Sequence, residues 1–148
     1  MLINLMLGCI TIFISMSIQV AGVVVMLRYL LKQMVARNGE SHFFFDSYVI
    51  GMVLLILFLG HLLQIAIWAS LFMYLGEFND FLTAFYHSAV NFASLGYGDI
   101  VMSEKWRLLG ALEASNGVLM FGLSAGTLLA VMTRLFKQNN PFNHQHSD

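Results

Sequence analysis

Phe81-Leu82-Thr83-Ala84-Phe85-Tyr86-His87-Ser88-Ala89-Val90-Asn91-Phe92-Ala93, followed at once by Ser94-Leu95-Gly96-Tyr97-Gly98-Asp99, is the most informative stretch of the chain. Its first part is too apolar for a solvated loop. Asn79 or Asp80 can cap a helix start, and the apolar run then lasts about three turns. A helix needs roughly 20 residues to cross about 30 Å of hydrocarbon, so this one enters a membrane without crossing it. The Gly-Tyr-Gly segment that follows breaks the helix. Non-helical backbone at membrane depth is tolerated only inside protein or along a water-filled path. A re-entrant helix and loop are therefore predicted here.

On either side lie the elements that would carry it. Ser47 to Gly76 holds no charged residue, and Leu108 to Thr133 holds only Glu113. Met1 to Leu27 is also uncharged, although Asn4, Thr11, Ser15, Ser17 and Gln19 soften its limits. Each is long enough to span. The first span has no basic n-region, so a signal peptide is a poor reading. The composition agrees: 59% of the 148 residues are hydrophobic, 10% are charged, and mean hydropathy is +0.77. Soluble domains hold about 25% charged residues, and disordered chains far fewer apolar ones.

Arg28, Lys32 and Arg37 follow the first span, and Arg134 and Lys137 follow the third. Lys105 and Arg107 lie in the other loop beside Glu77, Asp80, Asp99 and Glu104. Basic residues favour the cytoplasmic side, so the N-terminus is expected outside and the C-terminus inside. The net charge of −1 supplies no field for nucleic acid. Cys9 is the single cysteine, so no intrachain disulfide forms. Helix one should continue two turns past Arg28 and stop at Asn38-Gly39. Phe43, Phe44 and Phe45 are expected at the membrane interface. His144 and His146 read as part of a solvated tail. The divisions are 1–46, an N-terminal span and cytoplasmic linker; 47–136, the main membrane domain; and 137–148, a short cytoplasmic tail.

Ser94 to Asp99 resembles the selectivity filter of the potassium-channel pore family, usually Thr-Val-Gly-Tyr-Gly-Asp. The order of helix, short helix, filter and helix is similar too. Trp106-Arg107 resembles the start of that family's inner helix, and Gly117 to Leu123 the stretch around its hinge glycine. The likeness covers about Ser47 to Phe136. It implies an all-α membrane protein with three transmembrane helices, a re-entrant pore helix and a filter loop, the first span being an addition. That span has no arginine ladder and does not resemble a voltage sensor.

The resemblance implies that backbone carbonyls of Ser94, Leu95, Gly96 and Tyr97 coordinate potassium, the Ser94 hydroxyl adding the innermost ring. Gly96 and Gly98 would supply the positive φ that such a row of carbonyls needs. One chain gives a quarter of each ring, so a homotetramer is implied. Asp99 would attract cations at the outer mouth. Tyr97 would turn its hydroxyl away from the ions, towards Tyr86 or His87. Ser94 stands in place of threonine, Leu95 of valine, and Met102 of a common proline. Val90 occupies a position where some relatives carry a carboxylate, which leaves Asp99 without that partner. Matching the inner helix by phase puts Phe121, Ala125, Leu129 and Thr133 towards the axis, with Gly117 and Gly126 as hinges or close-packing positions.

Two further polar features lie within the spans. Glu113 reads as a buried partner for groups behind the filter or a cation-attracting ring, or else as a snorkelling acid bonded to Arg107 or Ser115. His61 and Gln64, one turn apart, are expected to hydrogen-bond across helices, with span one as a candidate partner. No nucleophile–base pair, metal cluster or phosphate loop is present, so an enzyme is not expected. No cofactor is implied beyond potassium as permeant ion. The expected function is passive potassium conduction by a multi-pass protein of the plasma (inner) membrane, with the lipid bilayer and monovalent cations as partners. Alternatives are a poorly selective monovalent cation channel of the same fold and a non-conducting accessory membrane subunit. A transporter is weaker, because the chain has no repeated halves.

Overall fold

A computed structural model describes residues 1–36 and 43–138. They form four helices in the order α1 (Leu2–Ala36), α2 (Phe43–Tyr74), α3 (Phe81–Phe92) and α4 (Arg107–Gln138), and no strand is present among them. Three stretches, Leu2–Leu30, Phe44–Tyr74 and Arg107–Lys137, are long and apolar enough to cross a membrane. The all-helical class and the number of spans expected from sequence are thus observed. α1 does run on past Arg28. Phe43 to Phe45 belong to the first turn of α2 rather than preceding it. Arg37, the Asn38-Gly39 stop and the His144/His146 pair lie outside the described residues.

α1 packs against both α2 and α4. Its buried stripe is Asn4, Gly8, Thr11, Ser15, Gln19, Met26 and Leu30, at spacings of three, four or seven residues. The opposite face is apolar and open: Phe13 is 72% exposed and Ile3 64%. This is the reverse of a soluble helix. In lipid, apolar side chains lose nothing by facing outward, whereas small and polar residues allow close approach and hydrogen bonds between helices. Gly8 shows the first effect, since a methyl there would collide with the Leu112 side chain of α4.

Two apolar clusters hold the bundle. One joins Met26 and Leu30 of α1, Val49, Val53 and Leu57 of α2, and Val131 and Leu135 of α4. The other joins Ile65, Trp68 and Phe72 of α2, Phe92 of α3, Trp106, and Leu109 and Met120 of α4. Between them runs a polar thread. Gln64 Nε2 donates to Gln19 Oε1 at 2.8 Å. Gln19 Nε2 reaches Ser124 Oγ at 3.4 Å, and Ser124 Oγ lies 3.0 Å from His61 Nε2. The expected cross-helix bonding of His61 and Gln64 is present, with α1 as one partner.

Candidate ion-conduction site

α3 begins at Asp80, whose Oδ2 accepts from Thr83 N and Thr83 Oγ1, each at 2.9 Å. An N-cap carboxylate satisfies a backbone donor that the helix leaves open. Of the two capping candidates the chain uses Asp80, and Thr83 holds that carboxyl below the ordinary aspartate range.

The far end of α3 is closed by a Schellman motif. Leu95 N donates to Val90 O at 2.9 Å and Ser94 N to Asn91 O at 2.8 Å. α2 ends the same way: Glu77 N donates to Phe72 O at 3.0 Å and Gly76 N to Met73 O at 2.9 Å, with Gly76 at φ 77°. This motif needs a left-handed residue just past the helix, where glycine is usual. α3 puts Ser94 there, at φ 58°. Gly96 follows at φ 58° and Gly98 at φ 74°. Every second residue of the segment is therefore left-handed, one more than the two glycines predicted. Residues 93–99 are all exposed in the single chain, with Leu95 at 55% and Tyr97 at 65%.

α3 is fastened tightly behind this segment. Ser88 Oγ donates to Ile65 O of α2 at 3.0 Å and also contacts Glu113 Oε1 of α4. Glu113 is fully buried, so it is not a snorkelling residue. Asn91 approaches the same carboxyl without closing a direct hydrogen bond, and Glu113 Oε2 has no partner among the described residues. Gly110 lies against Asn91, and Gly117 is buried against the Phe92 backbone. Phe92, Phe121 and His61 form a ring triplet with centroids 5.2–5.7 Å apart.

The strand of loop leaving the segment is held as well. Tyr86 Oη donates to Asp99 Oδ2 at 2.7 Å. Asp99 thus has a partner, and the Tyr86 hydroxyl hydrogen is committed to it. His87 is committed elsewhere too, its Nδ1 lying 3.0 Å from Ile100 O. The Tyr86 hydroxyl holds Asp99 below the ordinary carboxylate range, and Asp99 pushes Tyr86 up. Further on, Ser103 N and Oγ donate to Glu77 at 2.7 and 2.6 Å, tying the loop to the end of α2. Asn4 Nδ2 of α1 donates to Lys105 O at 2.6 Å.

α4 divides cleanly. Leu109, Glu113, Asn116, Met120, Thr127, Val131 and Leu135 are buried within the chain. Phe121, Ala125, Leu129 and Thr133 are exposed on the other side. The two glycines singled out on this helix differ. A methyl on Gly117 meets backbone, whereas one on Gly126 meets nothing within 4 Å. Gly117 is therefore a close-packing position. The contacts of Tyr86 with Asp99 and of Asn91 with His87 are ones that the sequence reading did not assign. The available signal was the run Tyr86, His87, Ser88 and Asn91, polar groups at adjacent and one-turn spacing in an otherwise apolar helix.

Among the described residues no group of three or more His, Cys, Asp or Glu side chains is placed to hold a metal. A family model described as ion channel matches residues 51–134, more than half of the chain, from the third turn of α2 to near the end of α4. No curated protein and no solved structure gives a significant match.

Proposed function

Because this chain belongs to the ion-channel family, we propose that it conducts potassium passively through a homotetrameric pore. The observation that carries this reading is the alternation of left-handed residues at Ser94, Gly96 and Gly98 in an exposed segment directly past α3. Alternating handedness turns successive carbonyls to one side, and four such rows facing a common axis replace the water around a dehydrated cation. Carbonyls of Ser94, Leu95, Gly96 and Tyr97 would form the sites, with the Ser94 hydroxyl innermost and Asp99 at the mouth. The exposure of residues 93–99 and of Phe121, Ala125, Leu129 and Thr133 suits surfaces that face an axis or a neighbouring copy. Arg28 and Lys32 in the last third of α1, with Arg134 and Lys137 near the end of α4, favour a cytoplasmic C-terminus, and the plasma (inner) membrane is the compartment we assign.

The test is potassium-driven flux in liposomes, wild type against Gly96→Ala. At φ 58° an alanine is strained by about 1–2 kcal/mol in each copy. Wild type should conduct and Gly96→Ala should not. Equal flux in both sinks conduction through this segment. Mixed-salt reversal potentials then separate potassium selectivity from a poorly selective cation pore, and flux from the purified chain separates a channel from an accessory subunit.

A further inference from the structure

His87 is 6% exposed and sits between α3, the loop and α2. Its ring lies 5.7 Å from Phe72 and 5.0 Å from Phe78, centroid to centroid. Nδ1 is 3.0 Å from Ile100 O, in the residue after Asp99. A carbonyl only accepts, so Nδ1 carries a hydrogen. Nε2 is 2.9 Å from Asn91 Nδ2, one turn along α3. An amide nitrogen only donates, so Nε2 is bare. Both contacts together select the neutral imidazole with its hydrogen on Nδ1. A second proton on Nε2 would face the Asn91 amide hydrogens, and Asn91 would have to turn its amide over. That amide sits against Gly110 and beside the Glu113 carboxyl.

We propose that His87 and Asn91 are positioning residues for ion selection: the neutral pair clamps Ile100 O and thereby sets the spacing of the 94–97 carbonyls. This role rests on conduction through that segment. α3 thus holds the segment at both ends, by the Schellman motif at Ser94 and Leu95 and by the imidazole at Ile100. Burial keeps the His87 imidazole below the ordinary histidine range, against the smaller opposing pulls of Ile100 O, Asp99 and Glu77. Glu104 and Arg107 line the same cavity, Tyr86 is its neighbour on α3, and Glu113 faces it through Asn91. At neutral outer pH the clamp is closed. As pH falls below the ordinary histidine value Nε2 gains a proton; the Nδ1–H bond to Ile100 O survives, and the Asn91 side of the pair gives way.

The experiment compares wild type, His87→Phe, Asn91→Leu and Asn91→Asp in liposomes, reading the potassium-to-sodium permeability ratio against outer pH. Phenylalanine keeps the ring contacts and loses both hydrogen bonds. His87→Phe and Asn91→Leu should lower the ratio at neutral pH by about fivefold, the scale of one net hydrogen bond, and flatten its acid response. Asn91→Asp offers Nε2 an acceptor, favours the charged ring, and should move the acid response to higher pH. Nitrogen NMR of the wild-type imidazole should show Nδ1 protonated and Nε2 bare. A conducting wild type whose ratio and pH profile survive His87→Phe overturns the clamp, as does the opposite tautomer. A wild type that passes no cation overturns the conduction reading, and the clamp with it.

Discussion

Gly117→Ala places a methyl group where α4 crosses the end of α3. An ideal Cβ there would lie 2.8 Å from the Phe92 carbonyl carbon and 3.1 Å from its Cα, with the carbonyl oxygen nearer still. Carbon atoms in ordinary contact sit about 3.5–4.0 Å apart, so the helices must separate by roughly 1 Å. The three nearest atoms all belong to the Phe92 backbone, so relief cannot come from turning a side chain. Separation also loosens Phe92 and Met120, each 1% exposed. The expected cost is ~3 kcal/mol per chain, the upper end for overpacking. Gly126→Ala is the control: nothing lies within 4 Å of its Cβ, and helix propensity should return up to about 1 kcal/mol. Both glycines lie inside α4, so that gain is common to them, and the two alanines should differ by roughly 3 kcal/mol when unfolding in mixed micelles is followed by circular dichroism. Because α3 carries Ser94 at its end, Gly117→Ala should also lose potassium flux while Gly126→Ala keeps a sealed, selective path. Stabilities within ~0.5 kcal/mol of each other would refute the close-packing account.

Three other outcomes follow from the same geometry. Ser94→Gly removes the left-handed strain of about 1–2 kcal/mol, offset in part by the greater chain entropy of glycine, so thermal unfolding should show a gain near 1 kcal/mol; a loss would mean the hydroxyl outweighs the strain. Tyr86→Phe removes the main cause of the depressed Asp99 ionisation. A lowered carboxyl stays charged to lower pH, so in the variant conductance should begin to fall at a higher outer pH than in wild type; unchanged titration would exclude the hydroxyl as the cause. Gln19→Leu leaves Gln64 Nε2 unpaired and Gln64→Leu leaves Gln19 Oε1 unpaired, so each should cost roughly 1 kcal/mol and the double variant less than their sum. Strict additivity in a double-mutant cycle would show that the 2.8 Å bond does not couple α1 to α2.

Much of this protein could be read from order along the chain. The three spans follow from uncharged length, because hydrocarbon sets a minimum run of apolar residues whatever the neighbours. The short helix and its Gly-Tyr-Gly exit follow from local chemistry: Asp80 caps, and the glycines accept a handedness that other residues resist. The polar stripe of α1 was also visible, as Asn4, Thr11, Ser15 and Gln19 at helical spacing. It signals a helix that buries its polar side, yet read singly those residues only blurred the limits of the span. Tertiary structure decided the rest. That Ser94 joins the left-handed positions depends on closing α3, that Gly117 is a contact depends on where Phe92 lies, and that Tyr86 serves Asp99 depends on a loop folding back thirteen residues. Sequence periodicity says which face of a helix is chemically distinct, but only the packed bundle says what that face meets, since polar partners here come from separate helices with no regular spacing between them.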